Sequence, residues 1–532
     1  MKTKKAVALL LAAGLTGGSL FGCGADSGTS GAGGADKLDG YPLDTDVKLT
    51  WWTPLNANVS ASYKSLNETP FAKGLIERTG VDIEFVHPPQ GQELERFNLM
   101  IASDAMCDIV EYNWLTRYSG GPVQAISDNV ILSLNDLIDK YSPNYKAVLE
   151  GLGQTVNQYK TDSGDFYMYA FMQGDRRLKT YFGLMARKDL MEQAGYTSVP
   201  ETIDELEEML YKFKDMGVKT PISLNSSAMI FEISALSGAF GVNNRYYVED
   251  GVVKYGAYRP EYQEYVKMLA KWFRDGILDN EWLDGDTKRI SAMVTNGEAG
   301  VISGTAGANM GLWQSILNQN IQGASLVAIP YPSAAKGQKP KFGQVTAECS
   351  NGAAIAASSA NPEIAARVLD YAYGSEGHLY YNFGTEGESY NIVDGVPTYT
   401  DLVMDESKNG GVSVGQGIAK YARASYDGAF VQDYNYITQY YQTQEQKDAL
   451  EIWSNTDAAK YAYPSISMSA EEQSEFTEIM SNINTYVDES LVKFINGQLN
   501  ADDMSEYYSN LKKMNIERAI ELKQSAYDRY MK

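Results

Sequence analysis

The chain has 532 residues, with 68 acidic against 45 basic side chains and a net charge of −23. So acidic a surface repels nucleic acid and anionic headgroups, and no lysine or arginine stripe interleaved with aromatics runs through it, so nucleic-acid binding is set aside. Three cysteines exclude a disulfide-built scaffold, two histidines exclude a histidine-rich metal site, and the length admits two lobes with full cores.

Lys2, Lys4 and Lys5 precede an apolar stretch from Ala6 to Phe21, too short and too rich in glycine for a comfortable membrane span. The pattern reads as a signal peptide over residues 1–22. It ends in Leu20-Phe21-Gly22-Cys23, which resembles a bacterial lipobox, so Cys23 is the expected lipidation site; ordinary secretion with an incidental cysteine is the rival. Residues 23–40 are rich in Gly, Ser, Ala and Asp and cannot bury enough apolar surface to offset their ordering entropy, so they read as a tether. Without the three leader lysines the balance is 42 basic to 68 acidic, or −26. Cys107 and Cys349 are the other cysteines; a bridge between them is allowed but not implied.

From Val47 onward short β-type runs alternate with amphipathic helices, the pattern of an α/β fold with largely parallel sheets. Strands are expected at 48–52, 82–86 and 108–111, with helices over 69–80, 93–102 and 134–141 between and after them. Thr202-Ile203-Asp204-Glu205 is a capping box, and Leu206, Met209, Leu210 and Phe213 follow on one face. Tyr262, Tyr265, Val266, Leu269 and Phe273 form a second stripe closed by Gly276. Ser469-Ala470-Glu471-Glu472 opens a long helix carrying Phe476, Ile479, Met480, Ile483, Val487, Leu491 and Phe494. These stripes read as core faces. Pro330-Tyr331-Pro332 and the basic run from Ala334 to Lys341 read as a crossing between lobes.

Several segments together resemble one family. Phe97 to Asp104, followed by Cys107-Asp108-Ile109-Val110, is similar to the helix, turn and P-D-[IL]-[IV] strand of family 1 extracellular solute-binding proteins, with Cys107 in place of the usual proline. Leu184 to Leu190, Gly195 and Val199 to Leu206 resemble that family's L-x-x-R-K-D…G…P-x-T-x-D-E-L run, the most specific match. Phe166 to Phe171, Asn296 to Val301, Asn361 to Arg367, Gly384 to Tyr390 and the C-terminal region from Tyr486 to Tyr530 add looser matches, the last to a large Gram-positive lipoprotein subgroup that binds sugars. The resemblance implies a type II periplasmic-binding-protein-like fold, two α/β lobes joined by a hinge with a ligand cleft between them. It places residues 41–170 plus 343–390 in the N-terminal lobe and 171–342 plus 391–532 in the C-terminal lobe. The crossings are then expected near Tyr169, near Pro330 to Phe342 and around Tyr390. It implies a carbohydrate ligand, an ABC permease as partner, a monomer held by its lipid at the extracytoplasmic face, no cofactor and no metal.

Tyrosine is the compositional outlier, with 38 residues beside seven tryptophans. Sugars offer apolar C–H faces and hydroxyl rims, which aromatic platforms and amide, carboxylate or guanidinium groups suit. Ligands in open α/β sheets bind beyond the carboxyl ends of strands. That singles out Trp51 and Trp52, of which alternation turns one to the cleft, then Tyr112, Asn113 and Trp114, and in the second lobe Thr305 and Trp313. For any one of these aromatics, core packing is the competing reading. Arg176 and Arg177 follow the first crossing and suit sugar hydroxyls or a uronate, with a solvated pair as the equal rival. Glu386, Glu388 and Tyr390 sit in the segment that approaches the cleft in the resembled family. His87 and His378 have no nucleophile motif beside them and read as structural. Asp284-Gly285-Asp286 hints weakly at a Ca2+ loop but lacks the full EF-hand spacing, so a plain acidic turn is the favoured reading. An oligosaccharide-binding component is therefore expected; a surface glycoside hydrolase or lyase, needing two placed carboxylates, and a peptide or other polar-solute receptor are the alternatives.

Overall fold

The strand Lys48–Trp52 buries Leu49, Trp51 and Trp52 and pairs in parallel with both Asp82–Val86 and Ile109–Tyr112. The computed structural model describes residues 38–224, 233–284, 287–348 and 351–532. Two helices make the parallel crossovers, Pro70–Thr79 and Glu93–Ala102. The first starts where Thr69 accepts from the Ala72 amide and stops at Gly80, whose φ of 75° favours glycine. A Cβ on Gly80 would also lie 2.3 Å from the Leu43 carbonyl oxygen, so a larger residue does not fit. Gly352–Ile355 then pairs antiparallel with Ile109–Tyr112 on one side and Tyr169–Ala170 on the other, closing a five-stranded sheet.

The third strand begins one residue later than its apolar pattern suggests, because Asp108 is a clamp. Its Oδ2 accepts from the Thr50 amide at 2.9 Å and the Thr50 hydroxyl at 2.8 Å, and its Oδ1 accepts from the Ser359 hydroxyl at 2.7 Å. Cys107, immediately before it, is buried and disulfide-bonded. Cys23 and Cys349 lie outside the described residues, as do the leader, most of the tether, and Gly285 and Asp286 of the acidic turn.

The second sheet runs Leu326–Ile329, Phe182–Arg187, Ala299–Thr305 and Thr220–Ser223, with the last two parallel and the other pairs antiparallel. All six residues of Phe182–Arg187 are buried, so this strand is covered on both faces. At Gly183 the cover is the Trp453 ring, which a Cβ would meet at 2.3 Å. The indole Nε1 donates to the Leu184 and Ile329 carbonyls at 3.3 and 3.1 Å, so its one polar group is satisfied inside the core. The helices Ile203–Asp215 and Ala470–Ile495 both open with reciprocal capping boxes, Thr202 with Glu205 and Ser469 with Glu472. In Tyr262–Arg274 the expected stripe is buried and Trp272 joins it, while Phe273 is half-buried.

Among the described residues two large cores result, with a small cluster of Met468, Leu522 and Ala526 beside the second. One gathers Leu43 through Met172 and Ala353 through Tyr381; the other gathers Leu178 through Tyr331 and Phe383 through Ala519. The chain is less simply divided than its sequence suggests. Ala419, Tyr426, Ala429 and Phe430 return to the first core, although the whole of residues 391–532 is expected in the second lobe. Val431–Gln432 then pairs in parallel with Met172–Gln173, so two crossing segments lie side by side as a short ribbon between the cores. The run from Ala334 to Lys341, expected to cross, stays on the second lobe: Lys336 pairs with Glu205 at 3.2 Å and Lys341 with Glu249. Among the described residues no helix is long and apolar enough to cross a membrane.

Candidate ligand-binding cleft

Where the two cores face each other there is a cavity of about 270 Å3. The crossing ribbon supplies Gln173 and Gln432 to its wall, with Phe171 just before it and Ser425, Tyr426 and Asp427 from the turn that leads into it; Asn58 comes from the first lobe, and Arg177, Tyr181, Thr305, Tyr436, Tyr440 and Tyr441 from the second. A smaller space of about 150 Å3 shares Tyr426 and Asp427 with it and extends past Thr53, Asn56, Glu111, Tyr112, Asn351 and Arg423. Aromatic faces alternating with amides and hydroxyls make this wall suited to a ligand that has both C–H and O–H groups.

Local chemistry places each part. After the first strand, Asn56 accepts from the Asn58 amide at 2.9 Å and starts the short helix Ala57–Ser60, which brings Asn58 to the cavity edge. Arg423 reaches across the chain to Glu111, with Nη1 to Oε2 at 3.0 Å and Nη2 to Oε1 at 2.6 Å, both side chains being buried. Thr53 donates to the same carboxylate at 3.1 Å. Arg423 Nη2 also donates to the Asp427 carbonyl at 2.8 Å, curling residues 423–427 into the turn that presents Tyr426 and Asp427. Burial opposes the Arg423 charge, yet Glu111 outweighs it and holds the guanidinium above its usual pKa. Gly428 is required beside it, since a Cβ there would lie 2.5 Å from the guanidinium carbon. Tyr440 lies between Gly307 and Gly415, where a Cβ on either would come within 3.0 Å of the ring.

Tyr426 has a buried hydroxyl that lies close to Arg423, yet among the described residues neither that hydroxyl nor Arg423 Nε makes a hydrogen bond of acceptable geometry. Behind the wall His87 accepts the Leu66 amide at Nε2, 3.1 Å, so Nδ1 carries the proton it donates to the Thr53 carbonyl at 2.8 Å. Burial pushes the His87 pKa down, in keeping with a neutral ring.

The residues singled out from the sequence divide sharply. Tyr112, Arg177 and Thr305 line the two cavities. Trp51 and Trp52 do not: alternation was expected to turn one outward, but both are buried, Trp51 against Phe85 and Trp52 edge-on to Tyr112. Trp114 is fully buried, packs edge-on to Phe97 and satisfies its indole on the Val110 carbonyl at 3.1 Å. Trp313 is likewise interior, donating to the Ser291 hydroxyl at 2.9 Å. Asn113 spends its side chain capping the helix Trp114–Arg117 on the Thr116 amide at 3.0 Å. Arg176 turns away to the Ser454 carbonyl and hydroxyl at 3.0 and 2.8 Å. Tyr390 and Glu386 border a different cavity of about 360 Å3 with Arg78 and Tyr380, and Glu388 is exposed to solvent. Asn58, Tyr426, Asp427 and Tyr440 went unnoticed in the sequence. For the last three the one signal there is the tyrosine density of 421–441 around the Asp427-Gly428 turn; Asn58 has none.

Residues 61–378 match the family model described as bacterial extracellular solute-binding protein. The chain belongs to this family. Its members are solute-binding proteins rather than enzymes, and the fold is the type II periplasmic-binding-protein-like arrangement of two α/β lobes. Among curated proteins the chain is similar to the fructooligosaccharide ABC transporter substrate-binding protein FusA of Streptococcus pneumoniae, 24% identical over 93% of each chain. Lipoprotein LipO of Bacillus subtilis is 23% identical over 65% of this chain and 68% of its own. Among solved structures, the alginate-binding protein AlgQ2 without calcium ion superposes with a TM-score of 0.70 at 23% identity, covering 92% of this chain and all of that one. An HMO-binding, ABC-transporter-associated solute-binding protein of Bifidobacterium longum infantis gives 0.71 at 18% identity, over 92% of this chain and all of its own.

Proposed function

We propose that this protein is the extracytoplasmic binding component of an ABC importer, capturing an oligosaccharide by closure of its lobes about the crossing ribbon and presenting it to the permease. The observation that carries this reading is the interlobe cavity, where the rings of Tyr181, Tyr426 and Tyr440 stand beside Asn58, Asp427 and Gln173. Rings stack on sugar faces while amides and a carboxylate take the hydroxyl rim. The names of the similar proteins, several of which bind oligosaccharides, agree with it. Capture without catalysis is supported by the carboxylates of the wall: Glu111 is buried in its pair with Arg423, which among the described residues of the wall leaves Asp427 as the exposed one. A hydrolase needs two carboxyl groups free to act on one bond. In this reading Cys23 carries the lipid, the protein acts as a monomer, and the elements of the first core, with Ala419, Tyr426, Ala429 and Phe430 among them, move against those of the second.

A thermal-shift screen of mono- and oligosaccharides tests the proposal, with the sugar recovered and analysed afterwards. A ligand at a hundredfold excess over its Kd stabilises by about 2.7 kcal/mol. A shift with intact sugar supports capture, cleaved sugar contradicts it, and a shift with peptides alone points to another solute.

A further inference from the structure

We infer that the cleft selects uncharged oligosaccharides and rejects uronates and phosphorylated sugars. This rests on the sugar-capture reading and narrows it. Both cations in the wall are already answered by carboxylates. Arg423 is forked onto Glu111. Arg177 is forked onto Asp175, through Nε at 2.8 Å and Nη2 at 2.9 Å, and its Nη1 donates to Glu451 at 2.8 Å. The ring of Tyr434 lies 3.3 Å from its guanidinium carbon and covers one face of the group. Even counting Arg176, which shares Glu451 from outside the wall, three cations face four carboxylates: Asp175, Glu111, Glu451 and Asp427.

Asp427 decides the sign of the local field. It is exposed at the junction of the two cavities, its Oδ2 accepts from Asn351, and among the described residues its Oδ1 accepts from no donor. A sugar hydroxyl entering here gains a charge-assisted acceptor. A ligand carboxylate or phosphate loses its water, finds no uncommitted cation and meets a like charge.

Isothermal titration calorimetry of the purified protein tests this with neutral di- to tetrasaccharides of glucose, galactose, mannose and fructose. Galactotriose and trigalacturonate supply a pair matched in linkage and ring configuration, and sugar phosphates are added. The expected result is a neutral ligand whose Kd is unchanged between about 20 and 300 mM NaCl, with charged counterparts at least about tenfold weaker. Glu451→Gln, with its fold checked by its melting curve, leaves Arg177 under-neutralised and should improve uronate binding relative to the neutral sugar by several-fold. A uronate bound as tightly as its neutral counterpart, or a Glu451→Gln protein with unaltered preference, overturns the inference while sugar capture stands. Binding of no sugar at all removes both.

Discussion

At the carboxyl ends of the first-lobe strands Trp51, Trp52 and Trp114 are turned inward, whereas Tyr426, Tyr436, Tyr440 and Tyr441, like Tyr112 at the third strand's end, are set at cavity walls. The difference follows from what each ring needs. An indole has one donor, which Val110 satisfies for Trp114 at 3.1 Å while Trp51 Nε1 stays buried without a partner among the described residues, and the rest of its area is best buried. A phenol carries a hydroxyl that donates and accepts, so a ring left at a wall still has work for its polar end. Position beyond a strand end is thus a poor guide until the donor count of the side chain is considered.

The largest test of this contrast is Trp114→Ala, expected to cost about 3–5 kcal/mol in urea unfolding, with ligand affinity little changed in whatever remains folded. A loss of affinity without loss of stability would break the distinction. Tyr440→Ala is the reverse case. It should weaken the sugar by about tenfold, or 1.4 kcal/mol, in a calorimetric titration, with a much smaller change in stability. A pH titration probes the layer between the two. His87 is held neutral in the fold, so as pH falls below its unfolded value of 6.5 the unfolded chain takes the proton first. Stability should be full above pH 6.5 and decline below it until the depressed folded pKa is passed, at about 1.4 kcal/mol for each unit of depression. His87→Gln should flatten that part of the profile. The smallest effect is expected from Gly307→Ala, whose new Cβ would lie 3.0 Å from the Tyr440 ring. A tilted ring should lose affinity about threefold, with the melting temperature nearly unchanged.

The lobes were more legible in the sequence than the cleft, for physical reasons. Strand ends, capping boxes and helix faces are set by residues within a few positions of one another, so 48–52, 82–86, 93–102 and the Thr202 and Ser469 caps can be read directly. Tyr426 and Asp427 reach the cavity only because Arg423 is tied to Glu111, a contact 312 residues apart in sequence. Tyr440 fits there only because two glycines, Gly307 and Gly415, lie on its flanks. Neither contact leaves a local pattern. The return of Phe430 to the first core hides for the same reason: its surroundings, Phe171 and Tyr381, come from distant segments.

The most direct test of the central claim is a crystal structure of the protein with the saccharide found by the screen. The account predicts the sugar between the lobes, a ring stacked on Tyr440 or Tyr181 and hydroxyls on Asp427. A sugar seated elsewhere would contradict it, for example in the roughly 960 Å3 groove of the second lobe beside Phe273 and Phe494.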